Sequence, residues 1–264
     1  MTVKCAGIAA QMLTPEKAVA LEPWLNPATH AAVLLTAEAT VDPRALTRAT
    51  LAAAAARGAE IRAGAPVTGI VLEPGRCVGV RVEGEKISAA QVVVAAGSFS
   101  GQIETVKRYA PTVPVRGQMV ALRSEKVVLG CVLRAERGYV VPRPDGRIIA
   151  GSTLENAGFD KRVTPAGIQQ VLAAALELVP ALADAVVIES WAGLRPGSPD
   201  HLPILGPTDI EGLWIATGHY RNGILLAPVT AQVISEWILR GKTSADVAAF
   251  SPLRLLANPA GATA

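Results

Sequence analysis

The chain has 264 residues, half of them hydrophobic but only 4% aromatic, with a formal net charge of +3. That length buries a sizeable core, as one large domain or two smaller ones. A near-balanced charge without a basic run excludes nucleic acid as an expected partner, and no run of about 18 uncharged apolar residues is present to span a membrane. Met1 to Cys5 form no apolar signal region, so secretion is not expected. Cys5, Cys77 and Cys131 are odd in number and far apart, which points to reduced thiols in the cytoplasm and to neither a disulfide scaffold nor a metal site.

In chain order, Thr14-Pro15-Glu16 starts a helix, with a capping threonine, proline at the first helical position and an acid in the first turn. It ends at Pro23, and residues 32–36 form a strand. Asp42-Pro43 caps a second helix, whose buried face is built from Leu46, Ala49 and Ala53 and which stops at Arg57-Gly58. Residues 66–73 and the alternating Val78, Val80 and Val82 read as strands around a Gly75 turn. Residues 87–94 close that unit, and Gln91 to Gly97 is an apolar run ending in glycine, the form of a buried strand that delivers its C-terminal end to a ligand. From Pro111 the texture changes. Residues 113–122, 127–133, 139–142 and 147–152 are short strands, with Pro144-Asp-Gly146 as a hairpin turn, so an antiparallel sheet is expected. Thr164-Pro165 opens a helix through Val179. Residues 186–191 form a strand that leads to Arg195, which stands among apolar and glycine neighbours where the strand should end.

The chain is organised around Gly212 to Leu226. A short buried strand, 213–216, runs into a turn carrying Gly218 and Gly223 and then into an apolar helix. Leu226, Val229, Val233 and Trp237 make the helix stripe, widened by Ile234 and Ile238, and Arg240-Gly241 ends it. Pro228 is accommodated as a near-first-turn residue. The N–H groups of Arg221, Asn222, Gly223 and Ile224 are expected to converge at the positive end of the helix dipole, a place that suits an anionic atom. An ordinary strand-turn-helix fits this stretch equally well.

Several of these pieces together resemble the D-amino-acid oxidase superfamily of flavoproteins. Val41-Asp-Pro-Arg-Ala-Leu46, Ala95-Ala-Gly97 and Arg116-Gly-Gln118 follow its pattern. Trp191-Ala-Gly-Leu-Arg-Pro196, Leu202-Pro-Ile-Leu-Gly206 and Thr217 to Pro228 follow, in order, its thiamine-pathway glycine oxidase branch. The resemblance runs over roughly residues 10–245. It implies an α/β (α+β) fold: a Rossmann-like FAD-binding domain, incomplete here, from 40–110 with 203–250, and an antiparallel-sheet substrate domain from 1–39 with 111–202. Residues 251–264, rich in alanine and proline, are expected to fray.

The resemblance also implies FAD as cofactor. Val67 would meet its adenine end and Ala96 and Gly97 its nucleotide. Gly218, His219, Arg221, Asn222, Gly223 and Ile224 would wrap the flavin ring. Arg195 would hold a substrate carboxylate as a bidentate fork, with Tyr139 adding a hydroxyl and Arg221 on the substrate side as well. The alternatives are a structural salt bridge for Arg195 and a plain sheet aromatic for Tyr139. No acid–base residue is expected, since the amine enters neutral and its hydride passes to the flavin.

Two departures stand out. Gly197-Ser-Pro-Asp200 holds no cysteine where sarcosine oxidases link their flavin, so FAD is expected to be non-covalent and the substrate to be glycine, a small D-amino acid or a secondary amine, oxidised to an imine. No Gly-x-Gly-x-x-Gly occurs anywhere in the chain, which implies a further amino-terminal segment as a partner. An inactive truncated remnant and a non-catalytic small-carboxylate-binding module are the alternatives. Homo-oligomer formation stays open.

Overall fold

The computed structural model describes residues 2–5 and 8–257. The fold is mixed α and β, and the chain divides into two compact units, Met1–Ala52 with Arg116–Glu155 and Asp160–Gly193, and Ala53–Val115 with Asn156–Phe159 and Leu194–Ala264.

The first unit is built on a five-stranded sheet in the order Val186–Gly197, Val113–Arg123, Arg147–Gly151, Tyr139–Pro142, Leu133–Arg134. The central pairs are antiparallel, with Ile148 facing Leu122 and Val140 facing Ala150. Gly146 closes the hairpin by donating its N–H to Arg143 O. One face packs against helix Pro165–Leu178, and Val120, Leu122, Val140, Ile148 and Ala150 meet Val171, Ala175 and Leu178 there. Thr164 caps the helix by accepting the Gly167 N–H at 3.2 Å, with Pro165 at the first position. A smaller antiparallel sheet, Thr2–Cys5, Ile8–Leu13 and Ala32–Leu35, carries the Thr14-capped helix Pro15–Leu21.

Three expectations are corrected here. The segment 127–133 is not a strand apart from Leu133. Its Gly130 and Cys131 N–H groups donate to Glu22 Oε2 at 2.8 and 3.0 Å, so a buried carboxylate takes the bonds that a neighbouring strand would have taken. Helix Pro43–Ala56 has no buried residue, and Leu46 is 37% exposed. Local signals hold it. Asp42 Oδ1 accepts the N–H groups of Arg44 and Ala45, and Asp42 Oδ2 pairs with Arg147 at 3.0 Å. The strand around Arg195 does not stop at 191 but continues to Gly197.

The second unit has a sheet in the order Ile204–Pro207, Leu213–Thr217, Val92–Val94. The last two strands are parallel, with Trp214 beside Val93, and among the described residues no strand pairs with the outer edge of Val92–Val94. The stretch 87–94, expected to close the meander unit, is divided between two sheets, Glu85–Ser88 in the meander and Val92–Val94 here, and the buried strand expected over 91–97 is only Val92–Val94. Strands Val67–Glu73, Arg76–Val82 and Glu85–Ser88 form the antiparallel meander. Val94, Leu213 and Ile215 face a core with Cys77, Val106, Tyr109 and Ile204. The opposite face carries helix Gly223–Arg240, where the Trp214 and Trp237 rings lie 6.3 Å apart. Of the expected frayed stretch, Arg254–Ala257 is a short helix and residues 258–264 lie outside the described residues.

A fully hydrogen-bonded Gln118 lies beneath the N-terminus of helix Pro165–Leu178. It donates to Glu155 and Thr164 and accepts the Thr164 N–H. A Cβ on Gly167 would stand 2.2 Å from Gln118 Nε2. Gly167→Ala therefore forces a buried, bonded side chain to move, and about 1–3 kcal/mol of stability should be lost, as for other overpacked cores. A lowered urea midpoint checks this, and an unchanged one refutes it.

Candidate functional site

Two parallel strands end side by side in the second unit, and buried hydroxyls fix their ends. Thr217 Oγ1 donates to Gly97 O at 2.9 Å and accepts from Ser100 Oγ at 3.1 Å. Thr112 Oγ1 approaches the carbonyls of Gly97 and Ser98 and accepts the Gly101 N–H at 3.0 Å. Thr217, Ser100 and Thr112 are almost wholly buried, so each bond replaces water that these groups have lost. Ala96, Gly97 and Gly218 are thereby brought together at the carboxyl ends of the strands. Thr217, Ser100 and Thr112 were not singled out from the sequence, because isolated hydroxyl residues carry no periodic or spacing signal.

The glycines differ in what requires them. Gly218 has φ +74°, and a Cβ there would meet the Ile204 side chain at 2.9 Å. A side chain at Gly97 would meet nothing within 4 Å, and at Gly223 only His219 Cβ at 3.7 Å. Gly97 also has a left-handed backbone, φ +55°, so conformation demands glycine at both 97 and 218 and crowding adds to it at 218, while the backbone at 97 and 223 faces open space.

The helix start is rearranged relative to expectation. Asn222 donates its N–H to His219 O at 2.9 Å, so it closes the turn and does not join a convergent set of donors. Leu226 is the residue whose N–H bonds back to Asn222 O, which leaves Gly223, Ile224 and Leu225 at the helix start without an intrahelical acceptor. Pro228 lies beyond the first turn, inside the helix. Arg221, Asn222 and Ile224 are exposed. The Arg221 guanidinium lies 5.2 Å from the Tyr220 ring. Tyr220 has φ +51° and donates its N–H to Pro196 O at 3.1 Å, which ties this turn to the residue after Arg195. Arg195 itself is half-buried near the end of its strand.

Val67 and Tyr139 stand on sheets other than that of the Gly97 and Gly218 strand ends. Val67 begins the separate meander and is 41% exposed. Tyr139 belongs to the first unit, where its ring and hydroxyl lie over its cross-strand partner Gly151. The Arg116-Gly-Gln118 motif is a buried clamp in that unit. Arg116 pairs with Glu155 at 2.5 Å and with Asp160 at 3.4 Å, and it donates to the Asp160 and Arg162 carbonyls. Along the helix, small residues Gly223, Ala227, Ala231 and Ser235 face Val93 and Ala95 across an apolar groove of about 420 Å³.

Parallel strands with glycine at their carboxyl ends, opening a helix, are the form of a nucleotide-binding α/β unit. Here that unit occurs with an antiparallel sheet in the same chain. The model of the DAO family, FAD dependent oxidoreductase, matches residues 3–237, and the chain belongs to that family. It is 38% identical over 233 residues to glycine oxidase of Pseudomonas putida, an alignment covering 87% of this chain and 64% of that protein. It is 42% identical over 210 residues to the bifunctional protein ThiO/ThiG of Trichormus variabilis, covering 78% of this chain and 32% of that one. The crystal structure of glycine oxidase from Geobacillus kaustophilus superposes with a TM-score of 0.88 at 32% identity, over 93% of this chain and 67% of that chain. The chain thus spans less than two thirds of the curated relatives named here. FAD is the cofactor of the family. No helix among the described residues is long and apolar enough to cross a membrane.

His219 supplies a test of this turn. Its Nε2 lies 2.9 Å from Thr230 Oγ1, and burial pushes its pKa below the ordinary 6.5. As pH falls the unfolded chain takes up the proton first, so the stability held by neutral His219 is complete above about 6.5 and is lost as pH falls through the folded value. The ring should titrate below 6.5 by NMR. His219→Asn should flatten the slope of melting temperature against pH just below 6.5, and a wild-type ring that titrates at or above 6.5 would refute the assignment.

Proposed function

We propose that the chain supplies the flavin-ring and substrate side of an FAD-dependent oxidase acting on glycine, a small D-amino acid or a secondary amine, with the cofactor held non-covalently in the cytoplasm. The observation that carries this reading is the bare backbone at Gly97 and Gly223, in the two segments that follow strand ends joined by the Thr217–Gly97 hydrogen bond. That space fits a large flat group approaching main chain, which a Cβ at either position would begin to fill. In this reading Gly97 and Ala96 line the nucleotide, while Gly218, His219, Arg221, Gly223 and Ile224 hold the ring and Asn222 closes their turn. FAD, when bound, would supply the acceptor for the α-hydride of the neutral amine, leaving an iminium that gives the imine by losing a proton to water.

The chain's own residues orient and polarise. The N–H groups of Gly223 and Ile224 and the positive end of an 18-residue helix stabilise negative charge placed before them. Arg195 holds the substrate carboxylate, and Arg221 adds positive charge from the turn tied to Pro196. His219, buried and bonded to Thr230, keeps the turn in register and moves no proton.

We assign the unpaired edge of Val92–Val94 and the apolar groove beside it to a further nucleotide-binding segment, which would add a parallel strand and a helix. Small side chains at 223, 227, 231 and 235 permit close helix packing, and the relatives named above are longer than this chain. The 264-residue chain alone should then bind FAD weakly. Purified protein that is yellow with near-stoichiometric FAD would overturn the role given to that segment.

With a Gly-x-Gly-x-x-Gly segment from a relative supplied, glycine or a small D-amino acid should be oxidised. Arg195→Lys keeps charge but loses the fork, and Arg195→Ala loses both. Charge-assisted contacts of about 1.5–3 kcal/mol correspond to a roughly ten- to more than hundredfold loss of apparent substrate affinity. Flavin content should not change. Loss of FAD with affinity retained would make Arg195 structural.

A further inference from the structure

Composition marks residues after Phe250 as a tail, yet Arg254 is one of the more completely engaged side chains in the second unit. Its Nε and Nη2 form a two-pronged pair with Asp200 at 2.7 and 3.0 Å. Nη2 also donates to Leu202 O at 3.3 Å, and Nη1 donates to Phe250 O and Ser251 O at 2.8 and 3.0 Å. These bonds use all five guanidinium N–H groups, and the side chain is only 18% exposed. A solvated surface pair would leave several of those donors to water.

The turn that Arg254 grips follows directly on Arg195. Ser198, buried, donates its hydroxyl to Leu202 O at 2.7 Å, and His201 donates its N–H to Ser198 O at 3.2 Å. His201 is held at φ +59°, and its ring centroid lies 5.9 Å from that of Tyr220, itself at φ +51°. Among the described residues the one other non-glycine with positive φ is Glu83. Two strained residues in contact persist only where surrounding bonds hold them. Asp200 sits immediately before His201, and its carboxylate, lowered in pKa by the Arg254 hydrogen bonds, also accepts the Leu202 N–H at 3.1 Å.

We propose that Arg254 is a positioning residue for the proposed carboxylate site: by fixing Asp200 it holds the strained His201 against Tyr220, and through the Tyr220–Pro196 hydrogen bond it sets the Arg195 strand end and the Arg221 turn relative to each other. The ligand in this statement rests on the carboxylate reading of Arg195, whereas the mechanical linkage stands on its own contacts. The C-terminal short helix is on this account part of the site and not a tail.

The chain contains three histidines, His30, His201 and His219, so the ring signals of the 264-residue protein can be assigned by His201→Gln and His219→Asn. Arg254→Ala should shift or broaden the His201 and Tyr220 ring signals, leave His30 in place, and weaken acetate binding three- to tenfold. Arg254→Lys, which lacks the fork, should fall between. Asp200→Asn keeps the size of its side chain and covers the case in which Arg254→Ala folds poorly; it should move the same two signals. A merely structural role would lower the melting temperature in all variants yet leave acetate affinity of the folded protein unchanged. His201 and Tyr220 signals that stay at their wild-type positions in both Arg254→Ala and Asp200→Asn would overturn the proposal. Wild-type protein that binds no acetate, while the His201 and Tyr220 signals still move, would retire the carboxylate reading of Arg195 and leave the linkage standing.

Discussion

The hydrogen bond from Thr217 Oγ1 to Gly97 O is the constraint on which the site depends. It joins the last residue of one parallel strand to the glycine just past the end of its neighbour. Each strand alone would deliver a glycine turn to solvent at an angle of its own choosing. Thr217 Oγ1 is buried and also accepts from the buried Ser100 hydroxyl, so removing it leaves the Ser100 hydroxyl without its partner and Gly97 O with only the longer Thr112 contact. That asymmetry, larger than the modest net gain of forming such a bond, makes the relative placement of Gly97 and Gly218 rigid. Rigid main chain is what a cofactor gripped mainly by backbone requires.

Motifs that mark the family divide into those near this bond and those that hold the scaffold. Asp42 of the Val-Asp-Pro stretch is a helix cap that also pairs with Arg147, and Arg116 and Gln118 form a buried clamp around Glu155, Asp160 and Thr164. None of these contacts touches the residues proposed to meet flavin. Their charges are satisfied inside the unit that bears them, which is the condition for burying an arginine at all. A recurring motif therefore carries the fold as often as it carries the chemistry, and only the partner of each side chain tells the two apart.

Strain follows the same geography. Among the described residues, two of the three non-glycine residues with positive φ, His201 and Tyr220, sit in contact, and Tyr220 is bonded to Pro196, next to Arg195, and precedes Arg221. The bonds that hold them come from chain segments far apart in sequence, Pro196 on one side and Arg254 on the other. Local preference opposes this backbone and tertiary contacts impose it, the usual signature of a segment shaped for a ligand.

Elements with a local cause were legible in the sequence. Thr14-Pro15, Asp42-Pro43 and Thr164-Pro165 start helices because cap and proline act within one turn, and Gly241 ends one because its left-handed conformation is intrinsically cheap for glycine. The glycine turn at 218–223, with the helix it opens, was legible for the same reason. What the sequence left open depends on partners distant along the chain. Residues 127–132 have strand composition, but Glu22, more than a hundred residues away, takes their N–H groups. Asn222 was expected to offer its N–H outward, but the turn folds it onto His219 O. Thr217, Ser100 and Thr112 look like ordinary polar residues until burial removes their water and leaves each other or nearby backbone groups as partners. The sequence by itself determined the family, the caps and the turns, because these rest on side chains acting on their own neighbourhood. The tertiary structure decided which hydroxyls and charges are dry, because desolvation is a property of the packed chain and not of any residue in it.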